Sequence, residues 1–207
     1  MPTQKITIEP VTAERWLDLE SLFGERGACA GCWCMWWRLR RKEWNEMKGD
    51  GNKKALRKIV KSNSLPGLIA YVNGVPAGWC AVRPRDEFPV LNNSRILKPV
   101  DDEPVWSIVC LFVLAAYRKQ GLSVKLIEAA VKHVKKQGGK IVEGYPTETA
   151  KLQPAAFVYT GLASAFVSAG FEEVARRSKS RPIMRYILTK KSAGKSQSSP
   201  KSKTNLA

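Results

Sequence analysis

Two stretches of this sequence carry residues whose types and spacing could do chemistry. The first, ACAGCWCMWWR from Ala28 to Arg38, gathers three of the five cysteines and three of the seven tryptophans within nine residues. Cys29 and Cys32 have the spacing of a zinc-binding pair, but a structural zinc site takes four ligands. Cys34 makes a third, Cys80 and Cys110 stand on other segments, and no histidine is near. No metal is expected on this count, although a fold that recruited Cys80 would supply a fourth thiol. Trp33, Trp36 and Trp37 suit an aromatic pocket wall, which can also hold an amine cation. Arg38 suits a carboxylate. The same tryptophans would serve equally well packed into a core.

The second stretch is VCLFVLAAYRKQGLSVKLIEAA, from Val109 to Ala130. A buried strand ends near Val113, a short basic loop follows, and a helix opens near Gly121. The first N–H groups of a helix have no partner within it and converge on one point. The helix dipole adds partial positive charge there, which makes an anion site suited to phosphate. Gly121 lets backbone approach a phosphate, Ser123 keeps the first turn open, and Arg118, Lys119 and Lys125 add charge. The pattern is neither GxxxxGK[ST] nor GxGxxG, so neither common nucleotide loop is present.

These residues must be positioned by a mixed α/β fold. KITIEPV alternates as a first strand, and Thr12 can cap a helix whose Trp16, Leu19, Leu22 and Phe23 share a face. Asn52 can cap a second helix with Ala55, Leu56, Ile59 and Val60 inward. LIAYV, Asn73-Gly74 and PAGWCAV read as a hairpin, since Asn-Gly between apolar runs is a strong turn signal. Residues 83–104 are polar and proline-marked, an irregular excursion with one helical turn. VWSIVCLFVL reads as a buried central strand. A helix is expected from Ser123 to Gln137, a strand at KIVEGYP, a helix from Val158 to Ala169, and a closing strand pair at FEEVARRS and PIMRYIL. A parallel pairing of VWSIVCLFVL with KIVEGYP requires a right-handed crossover through the intervening helix.

Composition bounds the partners. The 207 residues carry a net charge of +17, and five lysines of that excess lie in residues 190–207, so the body is basic without them. A basic body attracts anions: nucleic acid, acidic lipid or phosphorylated cofactors. Residues 190–207 offer almost nothing to bury and are expected to be a disordered basic tail on a domain of residues 1–189. No stretch of 18 uncharged apolar residues occurs, and MPTQKITIEP lacks the apolar run of a signal peptide, so a cytoplasmic protein without a membrane partner is expected. The odd, clustered cysteines fit reduced thiols better than a disulfide framework. A nucleic-acid module predicts basic residues on one face with interleaved aromatics. The lysines here are spread over several helices, so nucleic acid is not the expected partner. The lone His133, in the lysine-rich part of its helix, is expected at the surface.

The series Val113-x4-Arg118-x2-Gly121-x-Ser123 resembles the acyl-CoA pyrophosphate loop of the GNAT superfamily of N-acetyltransferases, [Q/R]-x-x-G-x-[G/A] after a strand ending in valine. Ser123 departs from the final Gly/Ala, and Ala115 stands where relatives often have proline. Phe166-x3-Gly170-Phe171 resembles the family's late helix, and the element order over residues 5–189 agrees. The resemblance implies a mostly antiparallel sheet of six to seven strands flanked by helices, with a splayed parallel pair at its centre. It implies acetyl-CoA as co-substrate, a small-molecule primary amine as acceptor, no metal, and a monomer or homodimer. Leu111, Phe112 and Val113 would meet the pantetheine arm, with Tyr159 and Phe166 beside it on one helix face. Arg118, Lys119, Gln120, Gly121, Leu122 and Ser123 would hold the pyrophosphate. The family's usual base and acid positions are Ser107 and Phe166 here. Glu143, with Glu103 behind it, is then the candidate carboxylate, and Tyr145 and Tyr159 are candidate acids. Trp33, Trp36, Trp37 and Arg38 would line the acceptor pocket. Loss of the usual base and acid also admits a protein that binds acyl-CoA without transferring from it.

Overall fold

The computed structural model describes residues 4–149 and 153–188, so the basic stretch 190–207 lies outside the described residues. Seven strands form one sheet in the order β1-β2-β3-β4-β5-β7-β6. They are β1 (Ile6–Pro10), β2 (Gly67–Val72), β3 (Val75–Pro84), β4 (Trp106–Val113), β5 (Ile141–Gly144), β6 (Glu172–Arg176) and β7 (Pro182–Ile187). All neighbours are antiparallel except β4 and β5, which run parallel. The β2–β3 hairpin turns at Asn73-Gly74, as its sequence requires. The sheet is mixed, open and flanked by helices, in agreement with the expected class.

Helices α1 (Trp16–Phe23), α2 (Arg41–Glu46), α3 (Asp50–Lys61), α4 (Pro89–Asn92), α5 (Leu122–Lys136) and α6 (Ala163–Ser168) complete the fold. Two cores form, one on each side of the sheet. The first joins Trp16, Leu19 and Phe23 of α1, Leu56 and Val60 of α3, the Cys/Trp segment, Trp79 and Tyr145. The second joins Leu126, Ile127, Ala130 and Val134 of α5 to Ile108, Leu111, Phe166 and Met184. α1, α3 and α5 bury the apolar stripes that their period assigns. Among the described residues no helix is long and apolar enough to cross a membrane.

Four expectations change. Thr12 makes no side-chain cap bond, and the chain first forms a 3-10 turn at Ala13–Arg15. Asn52 lies inside α3, fully buried, where its Nδ2 donates to the Gly31 carbonyl at 3.0 Å; Gly49 holds the cap position. A short amide so placed satisfies a loop carbonyl at long range, which sequence spacing cannot distinguish from a cap. The helix expected from Val158 to Ala169 is confined to Ala163–Ser168. His133 is 6% exposed and packs edge-on against Trp106, with ring centroids 6.1 Å apart. It falls on the buried stripe of α5 despite its lysine neighbours.

Candidate active site

β4 and β5 pair only where Trp106, Ser107 and Ile108 meet Val142, Glu143 and Gly144. β5 then ends, while β4 runs on to Val113. The strands part, and Val109–Val113 border a gap. Alternate residues of a strand turn their backbone groups to opposite edges. Leu114 donates to the Ala77 carbonyl of β3, so Phe112 also faces β3 while Leu111 and Val113 face the gap. The Phe112 ring packs against Phe23 at 5.9 Å. Phe112 therefore offers the gap no backbone group, unlike Leu111 and Val113.

A bulge marks where the strands part. Ala81 pairs with Cys110 and Val82 with Ile108, which leaves Val109 as the extra residue of β4. Its carbonyl accepts a hydrogen bond from Trp37 Nε1 at 3.0 Å. The gap itself is occupied at one point: the Leu111 N–H donates to the Tyr159 carbonyl at 2.6 Å. Tyr159 stands in a turn before α6, so it does not share a helix face with Phe166. Gly161 ends that turn at φ +89°, and a Cβ there would lie 2.7 Å from Leu111 Cδ1. A side chain is excluded on both grounds. Phe166 is fully buried, edge-on to Phe171 at 5.1 Å. The Tyr159 phenol is pushed up to about 12, chiefly by burial, with Arg181 opposing the rise. It stays protonated at neutral pH.

At the C-terminal end of β4 the basic loop is organised by its own backbone. Arg118 Nε donates to the Val113 carbonyl at 2.9 Å, and Gln120 Nε2 to the Ala116 carbonyl at 2.9 Å. Lys119 is held at φ +60° and Gly121 at φ +77°. A left-handed lysine costs about 1–2 kcal/mol, a strain found mostly where function maintains it. Nothing lies within 4 Å of the Cβ position of Gly121, so the approach to the first turn of α5 is open. Arg118, Lys119, Gln120 and Lys125 are exposed, Ser123 is half-buried, and Leu122 anchors the turn in the core.

Below the parting point lies a buried polar network. Glu143, 1% exposed, accepts from Arg185 Nη2 at 2.6 Å and Nε at 3.1 Å, and from the Tyr145 hydroxyl at 2.9 Å. Tyr145, fully buried, also accepts from Arg85 Nη1 at 2.7 Å and bonds Ser107 Oγ at 2.8 Å. Burial, then the Glu143 charge, pushes the Tyr145 phenol upward. Arg85 donates its Nη2 to the Leu97 carbonyl at 2.5 Å and the Leu91 carbonyl at 3.3 Å, which ties the excursion 85–104 to the sheet. Arg185 continues to Asp101 at 2.6 Å. Two arginines thus balance two carboxylates. Glu143 and Tyr145 meet at the Ser107 position, while Glu103 is exposed. Sequence reasoning missed Arg85, Asp101 and Arg185. The signal was an acid inside the apolar run of a central strand, which demands buried cations.

The Cys/Trp segment packs against β3 and β4. Trp33 is 2% exposed and stacks on Trp16 at 6.1 Å. Trp37 is buried beside Tyr159, with centroids 6.4 Å apart. Trp36 is half-buried beneath the Arg41 guanidinium at 4.2 Å. Cys34 accepts from Trp79 Nε1 at 3.3 Å and from the Cys110 thiol, which lowers the Cys34 thiol and raises that of Cys110. Among the described residues no group of three metal-ligating side chains is assembled. Arg38 Nη1 donates to Glu87 Oε2 at 3.0 Å.

Comparison with known proteins gives this geometry a context. The model of the acetyltransferase (GNAT) family matches residues 33–160. No curated protein sequence matches the chain. Among solved structures, the PaiA N-acetyltransferase from Thermoplasma acidophilum in complex with coenzyme A is 16% identical, with 88% of this chain and 99% of that one covered at TM-score 0.50. A GNAT-family acetyltransferase from Listeria monocytogenes is 11% identical over 90% of this chain and all of the other, at TM-score 0.55. The aminoglycoside acetyltransferase AAC(6')-Ib in complex with coenzyme A is 16% identical over 88% and 95%, at TM-score 0.53. At these identities the likeness is one of fold.

Proposed function

The chain belongs to the acetyltransferase (GNAT) family, and on that premise we propose that it transfers an acetyl group from acetyl-CoA to a primary amine of a small molecule by direct attack on the thioester. The observation that carries the reading is the parted β4–β5 pair, which leads from the backbone of Leu111 and Val113 to the open N-terminus of α5. The N–H groups at Gly121–Ser123, with Arg118 and Lys119, suit the pyrophosphate. An extended pantetheine arm pairs with strand backbone as an added strand does. The Leu111 N–H, once the Tyr159 carbonyl leaves it, meets the thioester oxygen as that oxygen gains negative charge.

The amine approaches from the face of the first core, because α5 fills the other face. Primary amines near pKa 8 supply enough neutral nucleophile at mildly basic pH to do without a strong base. We assign Glu143, Tyr145 and Ser107 to holding the acceptor side of β4 in register, since every one of them is engaged and buried. The Tyr159 carbonyl reaches Leu111 across the gap and its phenol keeps its proton, which makes Tyr159 the candidate to assist the leaving thiolate. Coenzyme A leaves as a thiol of ordinary acidity, so that assistance adds to a step already feasible. The aminoglycoside acetyltransferase among the structural neighbours supports a small amine as acceptor.

Free-thiol release from acetyl-CoA, measured across a panel of amines, tests the reading. Release that depends on an added amine is expected. One observation favours the alternative of acyl-CoA binding without transfer: the Tyr159 carbonyl already occupies the Leu111 N–H. Coenzyme A binding with no release for any amine would select that alternative.

A further inference from the structure

Arg38 lies in a small charge cluster that does not balance. Its side chain is 9% exposed, and Nη1 donates to Glu87. Glu87 is shared: Arg83 Nε donates to its other oxygen at 2.7 Å. Although burial alone would raise it, hydrogen bonds from Arg83 and Arg38 hold the Glu87 carboxyl below its usual value. Two guanidinium groups therefore compete for one carboxylate, and one positive charge remains. Among the described residues, Arg38 Nη2 is buried with no hydrogen-bond partner. A buried unpaired donor on a charged group is costly, and folded proteins rarely leave one without a use.

The location of this orphan gives it meaning. Arg38 directly follows Trp37, whose indole N–H holds the Val109 bulge where the strands part. Its charge acts on the Cys34 thiol, which is hydrogen-bonded to Cys110 of β4. Its guanidinium lies 4.6 Å from the Phe88 ring, at the inner end of the excursion 85–104. Arg38 is thus on the first-core face of β4, beside the point where an amine would meet the thioester. The Arg85–Glu143–Arg185–Asp101 network nearby is internally balanced and has no charge to offer Arg38.

We propose that Arg38 binds the carboxylate of the acceptor, so that the substrate is an amino-acid-like primary amine. This rests on the amine-transfer reading above and deepens it. One spare nitrogen and one excess charge match a carboxylate of single charge. A phosphate carries nearly two charges and three acceptor oxygens, and would need a second free cation.

The test pairs amino acids with their amides, which keep the amine and lose the carboxylate. Thiol release from acetyl-CoA is followed with the wild type, Arg38→Gln and Arg38→Lys. The wild type is expected to favour the acids by about 10- to 100-fold in kcat/KM, the range for a hydrogen bond to a charged group. Arg38→Gln removes that preference through the KM of the acceptor and leaves the KM of acetyl-CoA unchanged. Arg38→Lys, which keeps the charge on Glu87 and so guards against misfolding, restores part of it. Equal use of acids and amides by the wild type, or a preference that survives in Arg38→Gln, overturns the proposal. If no amine is acetylated while coenzyme A binds, the transferase reading fails instead. Calorimetric titration of glycine and glycinamide into the coenzyme A complex then tests Arg38 alone. Glycine binding lost in Arg38→Gln upholds the carboxylate site, and glycine binding that is absent or indifferent to the substitution overturns it.

Discussion

The Leu111 backbone N–H donates to the Tyr159 carbonyl at 2.6 Å, across the gap that opens where β4 and β5 part. The donor best placed for a thioester oxygen is therefore engaged by the chain itself. Titration with coenzyme A is expected to shift the Leu111 amide resonance strongly, together with those of residues 158–161, as one partner replaces another. A titration that shifts residues 118–123 and leaves Leu111 and the turn unmoved would contradict this.

The same turn makes Gly161 sensitive. Gly161→Ala puts a methyl group against Leu111 at a left-handed backbone position. A loss of about 1–2 kcal/mol is expected from the backbone alone, read as a lower urea midpoint. Unchanged stability would show that the turn relaxes without cost.

The buried network predicts an order of effects. Glu143→Gln leaves two guanidinium groups short of a carboxylate, and breaking a buried pair costs about 3–5 kcal/mol. Tyr145→Phe removes one hydroxyl with three partners, and about 1–3 kcal/mol is expected. Denaturant midpoints of the two variants check the order, and a larger loss in Tyr145→Phe would show that the network depends on its hydroxyl more than on the Glu143 charge.

His133 predicts a pH dependence. Burial first, then the Arg83 and Lys136 charges, lower its pKa below 6.5. The unfolded chain takes up a proton before the folded chain does, so stability is full above the unfolded pKa and falls as pH drops below it. It is the one histidine in the chain. His133→Phe keeps an aromatic edge against Trp106 and should flatten the stability profile between about pH 7 and about pH 5. A profile with the same slope in the variant would place the titration elsewhere.

Thiol reactivity follows burial. Cys29 is exposed, whereas Cys34 and Cys80 are buried, and burial raises the Cys80 and Cys32 thiols. Maleimide labelling of the native protein should modify Cys29 first, with Cys80 reached only on unfolding. Early labelling of Cys80 would mean that the second core opens readily.

Much of this fold is legible in local pattern. The Asn73-Gly74 hairpin, the α5 stripe and the strand–loop–helix unit around Gly121 each follow from residues close in sequence. What stayed hidden depends on distant partners. Asn52 reads as a cap until the Gly31 carbonyl, 21 residues away, is seen to be its acceptor. Glu143 reads as a candidate carboxylate for catalysis until Arg185 arrives from β7 and engages it. Tyr159 and Phe166 share a helical period, but Gly161 bends the backbone between them, and a seven-residue spacing cannot reveal that bend. The Cys/Trp segment admits a pocket wall or a core from its sequence alone. Its tryptophans belong largely to the core, and among the described residues the Arg38 Nη2 atom is left without a partner.

The most direct measurement of the central claim is a mass-spectrometric balance of one reaction. Protein, acetyl-CoA and a mixture of amino acids are combined, and free coenzyme A, N-acetylated product and intact protein mass are quantified together. The account predicts equal amounts of coenzyme A and N-acetylated amine, with no acetyl group left on the protein. Coenzyme A release without an acetylated amine, or an acetylated protein in its place, would contradict direct transfer to an amine.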